Sequence, residues 1–127
     1  MRTHFLKALP IGGRSAVLEV FPEFDLYNLG RVSCLAIKAG QEPTLADLSL
    51  TADYRDLTTG AVAEVTLDFS GIRYAKLPEL TPVFYFSELE IEDVRSDHLE
   101  GIRYRAKDHG SAEFEVLAKE ITILLAR

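Results

Sequence analysis

Cysteine is nearly absent from this chain: Cys34 is the only one in 127 residues. A lone thiol cannot close an intrachain disulfide, so no disulfide framework is implied. Long apolar runs are missing too. The longest, Ile121 to Ala126, is strand-sized and far short of the ~20 residues that a spanning helix needs. Arg2 and Lys7 are not followed by an apolar stretch long enough for an export signal. Together these absences lead us to expect a soluble, cytoplasmic protein with no membrane partner. Basic charge is also scarce. The 14 Lys and Arg against 20 Asp and Glu leave a net charge of −6. Phosphate binding needs clustered Lys and Arg, so nucleic acid is not an expected partner. The acidic balance suits solubility, and equally a protein partner of basic charge.

Chemistry-bearing motifs are as sparse. The chain has three histidines, of which His4 lies near the N-terminus. The segment from Gly101 to Lys107 separates His98 from His109. At about 3.3 Å per strand residue it holds them on the order of 25–35 Å apart. They are read as loop histidines, unable to share a metal or a proton relay within one subunit. Asp93, Asp97 and Glu100 lack the alternating spacing and central glycine of a calcium loop. Gly12-Gly13-Arg14-Ser15 lacks the Lys-Ser/Thr ending of a phosphate-binding loop. Cys34 reads as a buried structural thiol. No nucleophile-elbow motif occurs. The expectation is therefore no catalytic residue, no cofactor and no metal.

What the chain does contain is ordinary globular composition, 47% hydrophobic and 27% charged, in a length suited to one domain spanning residues 1–127. Period-2 alternation dominates from residue 45 onward. Leu48, Leu50, Ala52 and Tyr54 fall on one side, against Asp47, Ser49, Thr51 and Asp53. After a turn at Thr58-Thr59-Gly60, Ala63, Val65, Leu67 and Phe69 alternate with Glu64, Thr66 and Asp68. Two such runs around a glycine-containing turn predict a hairpin with one buried face. A further strand is expected over Val32 to Lys38. Another begins at Gly71 and stops before Pro78, because proline cannot donate to a ladder. Ala16 to Phe21 reads as a candidate strand, and Pro22 to Gly30 as an irregular connection.

The C-terminal third adds a charge code. Glu88, Glu90 and Glu92 alternate with Leu89 and Ile91. Arg103, Arg105 and Lys107 alternate with Ile102, Tyr104 and Ala106. Glu113 and Glu115 alternate with Phe114 and Val116. Opposite charges across strands stabilise pairing by roughly 0.2–1 kcal/mol each, so an acidic–basic–acidic meander is favoured. A three-residue loop, Asp108-His109-Gly110, with Gly110 at positive φ, keeps the faces consistent. It would pair Arg105 with Glu113, Tyr104 with Phe114, Arg103 with Glu115 and Ile102 with Val116. Gly71-Ile72-Arg73-Tyr74 recurs as Gly101-Ile102-Arg103-Tyr104, but its flanks diverge and no repeat unit is implied.

The order of features resembles the small bacterial β-rich domains grouped with the immunity proteins of polymorphic toxin systems. The resemblance is carried by Phe24-Asp25, Glu42-Pro43-Thr44-Leu45, the Val65-to-Gly71 segment, Leu89-Glu90-Ile91 and Glu113-Phe114-Glu115. It implies no catalytic residues.

The fold expected is all-β with at most a short helix. Roughly seven mainly antiparallel strands would form a sandwich or a strongly twisted, partly closed sheet. The function expected first is non-enzymatic protein binding, of an immunity type that neutralises a toxin partner. A small-molecule-binding, β-barrel-like domain comes second, and an enzyme of unrecognised type third. Once the meander neutralises itself, unpaired acidity concentrates on the hairpin. Asp47, Asp53, Glu64 and Asp68 are therefore the candidate protein-binding residues, on a surface that a second copy of the chain could instead cover.

Overall fold

The computed structural model describes residues 2–40, 45–79, 84–95, 101–110 and 112–126. Two antiparallel sheets face each other. One, in the order β1-β6-β7-β8-β5, contains β1 (Arg2–Thr3), β5 (Tyr74–Lys76), β6 (Leu89–Asp93), β7 (Tyr104–Asp108) and β8 (Glu115–Ala118). The other, in the order β2-β3-β4-β9, contains β2 (Leu29–Ala39), β3 (Ala46–Arg55), β4 (Val62–Ile72) and β9 (Glu120–Ala126). The all-β expectation holds, as a sandwich; the sheets do not close into a barrel. Nine strands rather than about seven are described, because an element as short as β1 carries no readable alternation.

The inner faces follow the alternation. Leu48, Leu50, Ala52 and Tyr54 on β3 and Val65, Leu67 and Phe69 on β4 are all buried. Leu89, Ile91, Tyr104, Ala106 and Val116 meet them from the opposite sheet in one hydrophobic cluster. Phe114 packs against Phe69 and edge-on against Phe86, with centroids 6.1 and 5.1 Å away. At the other end Tyr54 stacks on Phe24 at 4.1 Å. Phe24 and its neighbours reach the core from the irregular N-terminal connection.

The sheets are joined by a bent ribbon. The chain passes from β4 to β5, and from β8 to β9, at the same place. The Lys119 N–H donates to the Ser70 and Gly71 carbonyls at 3.0 and 3.2 Å, and the Arg73 N–H to the Leu117 carbonyl at 3.0 Å. Gly71 takes φ +64°, and a Cβ there would lie 2.7 Å from the Lys119 Cβ. Both φ and space demand glycine at this corner. The strand expected from Gly71 onward is accordingly split, with Ile72 ending β4 and Tyr74 opening β5.

Three expectations are corrected. The segment read as a strand over Ala16 to Phe21 is instead the helix α1 (Arg14–Val20). Its buried side chains, Val17 and the following Phe21, are four apart, which is a helical spacing. Gly12 and Gly13 serve backbone approach: the Gly12 N–H donates to the Ile121 carbonyl at 3.1 Å and its carbonyl accepts from Ile123 at 2.9 Å. Second, Cys34 is exposed rather than buried. The β2–β3 register shifts between Val32 and Cys34. This bulge inserts Ser33, so Leu35 and Ile37 share the inner face with Leu50 and Leu48, while Cys34 turns outward.

Third, the β7–β8 register differs. The meander order is as expected, but Tyr104 faces Ala118, Arg105 faces Leu117, Ala106 faces Val116 and Lys107 faces Glu115. Every partner is displaced by four residues, an even number that leaves each side chain on its expected face. Face consistency therefore fixes register only modulo two. What selects the longer loop is Asp108, a buried carboxylate accepting from the Ser87, Glu88 and Gly110 N–H groups at 3.0, 3.2 and 2.7 Å. It holds Asp108 in the ladder opposite Leu89, and Gly110 does not take the positive φ expected of it. Removing the carboxylate strands these donors. Asp108→Ala should cost roughly 2 kcal/mol or more in chemical denaturation; an unchanged midpoint would show that the loop does not depend on it.

Candidate functional site

Two outward sheet faces are available, and charge is arranged differently on each. On the five-stranded sheet the acidic and basic rows interleave. Arg105 reaches Glu92 on β6 at 3.2 Å and Glu115 on β8 at 3.3 Å. Lys107 is registered between Glu90 and Glu115. Asp93 meets Arg95 at 2.9 Å and Arg103 at 3.8 Å. Burial alone would raise the Asp93 carboxyl, but hydrogen bonds from the Arg95 backbone and guanidinium outweigh it and hold the group below its usual range. This face neutralises most of its own charge.

At its β1 edge lies a cluster that sequence reasoning missed. His4 Nδ1 sits 2.6 Å from Asp25 Oδ1, and its ring stacks on Tyr27 at 3.7 Å. The Tyr27 hydroxyl donates to Glu90, whose other oxygen lies 3.4 Å from Arg2 and 3.3 Å from His109. His4, the Asp25–Tyr27 turn, Glu90 and His109 come from four separate segments, so no local spacing announces the cluster. The only local sign is Asp25, which caps the 3₁₀ turn Leu26–Asn28 by accepting from the Tyr27 N–H at 2.9 Å. His109 thus meets a residue of the N-terminal region indirectly, through Glu90. His98, its expected distant counterpart, lies outside the described residues, as do Asp97 and Glu100.

The four-stranded sheet presents the candidate acids. Across β3 and β4, Asp53 is registered directly opposite Glu64, and Asp68 opposite Ser49. Between these rows lie Thr51 and Thr66, whose hydroxyls are 2.9 Å apart. Asp68 is therefore about 13 Å along the strand from Glu64, four residues at 3.3 Å each. Asp47 stands apart. It occupies the register shift before Leu48, accepts the Gly71 N–H at 3.2 Å and is registered with Lys38. The four acids thus form a row and not one cluster, and Asp47 has a structural task at the corner. Asp53, Glu64 and Asp68 form no ion pair among the described residues.

The surface depressions are open and polar. One of about 280 Å³ lies at the corner, between Asp47, Gly71, Lys119 and Glu120. Another, of about 200 Å³, lies over Glu90, Arg105 and Glu115. Among the described residues no three His, Cys, Asp or Glu side chains are placed to hold a metal ion, and no helix is long and apolar enough to cross a membrane. No protein-family model, no curated protein and no solved structure matches the chain.

The Tyr27–Glu90 contact has a measurable signature. The hydrogen bond to Glu90, with desolvation and the Glu90 charge, pushes the Tyr27 hydroxyl up from 10.0 to about 12. A folded-state value raised above the unfolded one stabilises fully below pH 10, and that contribution is lost as pH rises towards 12. Glu90→Gln should lower the Tyr27 titration, followed by NMR of the labelled ring carbon with Tyr27→Phe as assignment control. A midpoint that stays near 12 would show that Glu90 is not the cause.

Proposed function

We propose that this protein is a non-enzymatic binding domain of the cytoplasm that captures a basic protein on the outward face of β3 and β4, in the manner of an immunity protein neutralising a toxin. The observation that carries this reading is the pairing of Asp53 with Glu64. Like charges directly opposite on a sheet destabilise it. The same chain pairs its opposite charges across β6, β7 and β8. Leaving two carboxylates face to face, with Asp68 in the same row, costs stability that a cationic partner would recover on binding. The surrounding Ser49, Thr51, Thr66 and Thr122 are small and lie in register. They leave a broad face on which another protein can lie, and single-sign surface accelerates its encounter. The open, polar depressions do not supply the largely apolar enclosure that small-molecule sites use.

The test separates binding from folding. Glu64→Gln should stabilise the isolated protein by roughly 0.2–1 kcal/mol, because it removes one of two opposed charges. Reversing Asp53, Glu64 and Asp68 to lysine should leave the fold intact and slow capture of a basic partner by about tenfold or more, mainly through the on-rate. Asp47 is left unchanged, since its carboxylate serves Gly71. Partner capture at the wild-type rate by the triple variant would exclude this face.

A further inference from the structure

The strand β2 forms one edge of the four-stranded sheet. Among the described residues its outer edge is occupied only at one end: the Val32 N–H donates to the Phe84 carbonyl and the Phe86 N–H to the Gly30 carbonyl, both at 3.0 Å. At the other end the chain turns back, with the Gly40 N–H donating to the Leu45 carbonyl at 2.9 Å. That bond and the register of Cys34 with Thr51, Ala36 with Ser49 and Lys38 with Asp47 define the alternation. Residues 34, 36 and 38 direct their backbone groups to β3. Leu35, Ile37 and Ala39 direct theirs outward, where no described residue meets them. Ile37 is 59% exposed although it shares the inner face with Leu48.

We propose that Ser33–Ala39 pairs antiparallel with the same segment of a second copy, joining two four-stranded sheets into one. The two stops select this occupant. The Phe84–Phe86 segment blocks pairing before Ser33, and the return at Gly40 ends the strand after Ala39. A twofold-related copy has the same stops at opposite ends, so a register centred on Ala36 uses the whole free length. In that register Leu35 faces the partner's Ile37, and Ile37 the partner's Leu35. These are the residues whose N–H and C=O point outward, and their side chains form two apolar cross-strand pairs. Lys38 faces the partner's Cys34. Centring the register on Lys38 would oppose two ammonium groups, and centring it on Ile37 would replace both Leu–Ile pairs by a single Ile–Ile pair, with Leu35 facing Ala39. One strand pair buries less than a standard interface of roughly 1,200–2,000 Å², so the dimer is weak and concentration-dependent.

Sedimentation velocity of the full chain over the micromolar range should show a monomer–dimer equilibrium. Ile37→Pro removes an outward donor without breaking a β3 hydrogen bond, and should raise the dimer dissociation constant by about tenfold or more. The register has its own test, which does not depend on that variant folding. Ala36 would face its counterpart in a non-hydrogen-bonded pair, with Cα atoms about 4.5 Å apart, within disulfide range. Ala36→Cys in a Cys34→Ser background should form a covalent dimer under mild oxidation. The native Cys34, about 13 Å from its counterpart in this register, should not. A monomer at every concentration, a dimer indifferent to Ile37→Pro, or cross-linking through Cys34 as efficient as through Ala36→Cys would each overturn the proposal.

Discussion

The arrangement of the molecule turns on the corner at which two antiparallel strands leave one sheet and enter the other together. Gly71 and Lys119 approach there so closely that a methyl group at residue 71 would meet the Lys119 Cβ at 2.7 Å. Backbone hydrogen bonds continue through the bend, from the Lys119 N–H to the Ser70 and Gly71 carbonyls and from the Arg73 N–H to the Leu117 carbonyl. The ribbon therefore bends without leaving its polar groups unpaired. Asp47 completes the corner by accepting the Gly71 N–H. Because the bend brings the inner faces of both sheets together, the core can be built from simple alternation on each strand. Because it also turns their outer faces apart, basic β7 can neutralise β6 and β8 but not the acids of β3 and β4.

This separation of faces gives the charge distribution its meaning. Arg105 bridges acids on both neighbouring strands. Such partly exposed pairs are worth little individually, but they order three strands and leave little net field on that side. On the other sheet Asp53 and Glu64 face each other, and neither forms an ion pair among the described residues. The molecule thus holds one electrostatically finished face and one unfinished one. The unfinished face and the open half of β2 belong to the same sheet, so the four-stranded layer concentrates the surface that folding alone does not complete.

Much of this architecture was legible in the sequence. Leu48 to Tyr54 and Ala63 to Phe69 alternate strictly, and both runs face the core with their acids outward. The order of β6, β7 and β8 followed from the charges at Glu90, Arg105 and Glu115. What alternation cannot carry is an even register shift, which is why the β7–β8 pairing came out four residues away; the deciding contact is Asp108 with Ser87 and Glu88, twenty residues upstream. Nor can it foresee a bulge, which turned Cys34 outward. The N-terminal quarter was least legible because its apolar residues, Leu6, Val17, Phe24 and Leu26, enter the core from a two-turn helix, short 3₁₀ turns and irregular chain rather than from strands. The cluster joining His4, Asp25, Tyr27 and Glu90 depends on that packing. Of the candidate acids, Asp53, Glu64 and Asp68 share a face as expected, whereas the role of Asp47 at the corner becomes visible only once β3 and β4 are paired across their register shift.

On the proposed function, the outer face of β3 and β4, and not the charge-rich meander, receives a cationic partner. Amide NMR of the full chain titrated with a short oligolysine peptide addresses it directly, since acids occur on both faces and only their pairing differs. Salt-sensitive shift changes should concentrate at Asp53, Glu64, Thr66 and Asp68, with Glu90, Glu92 and Glu115 little affected. Changes centred on Glu90 to Glu92 and Glu115, with the β3–β4 amides unmoved, would contradict it.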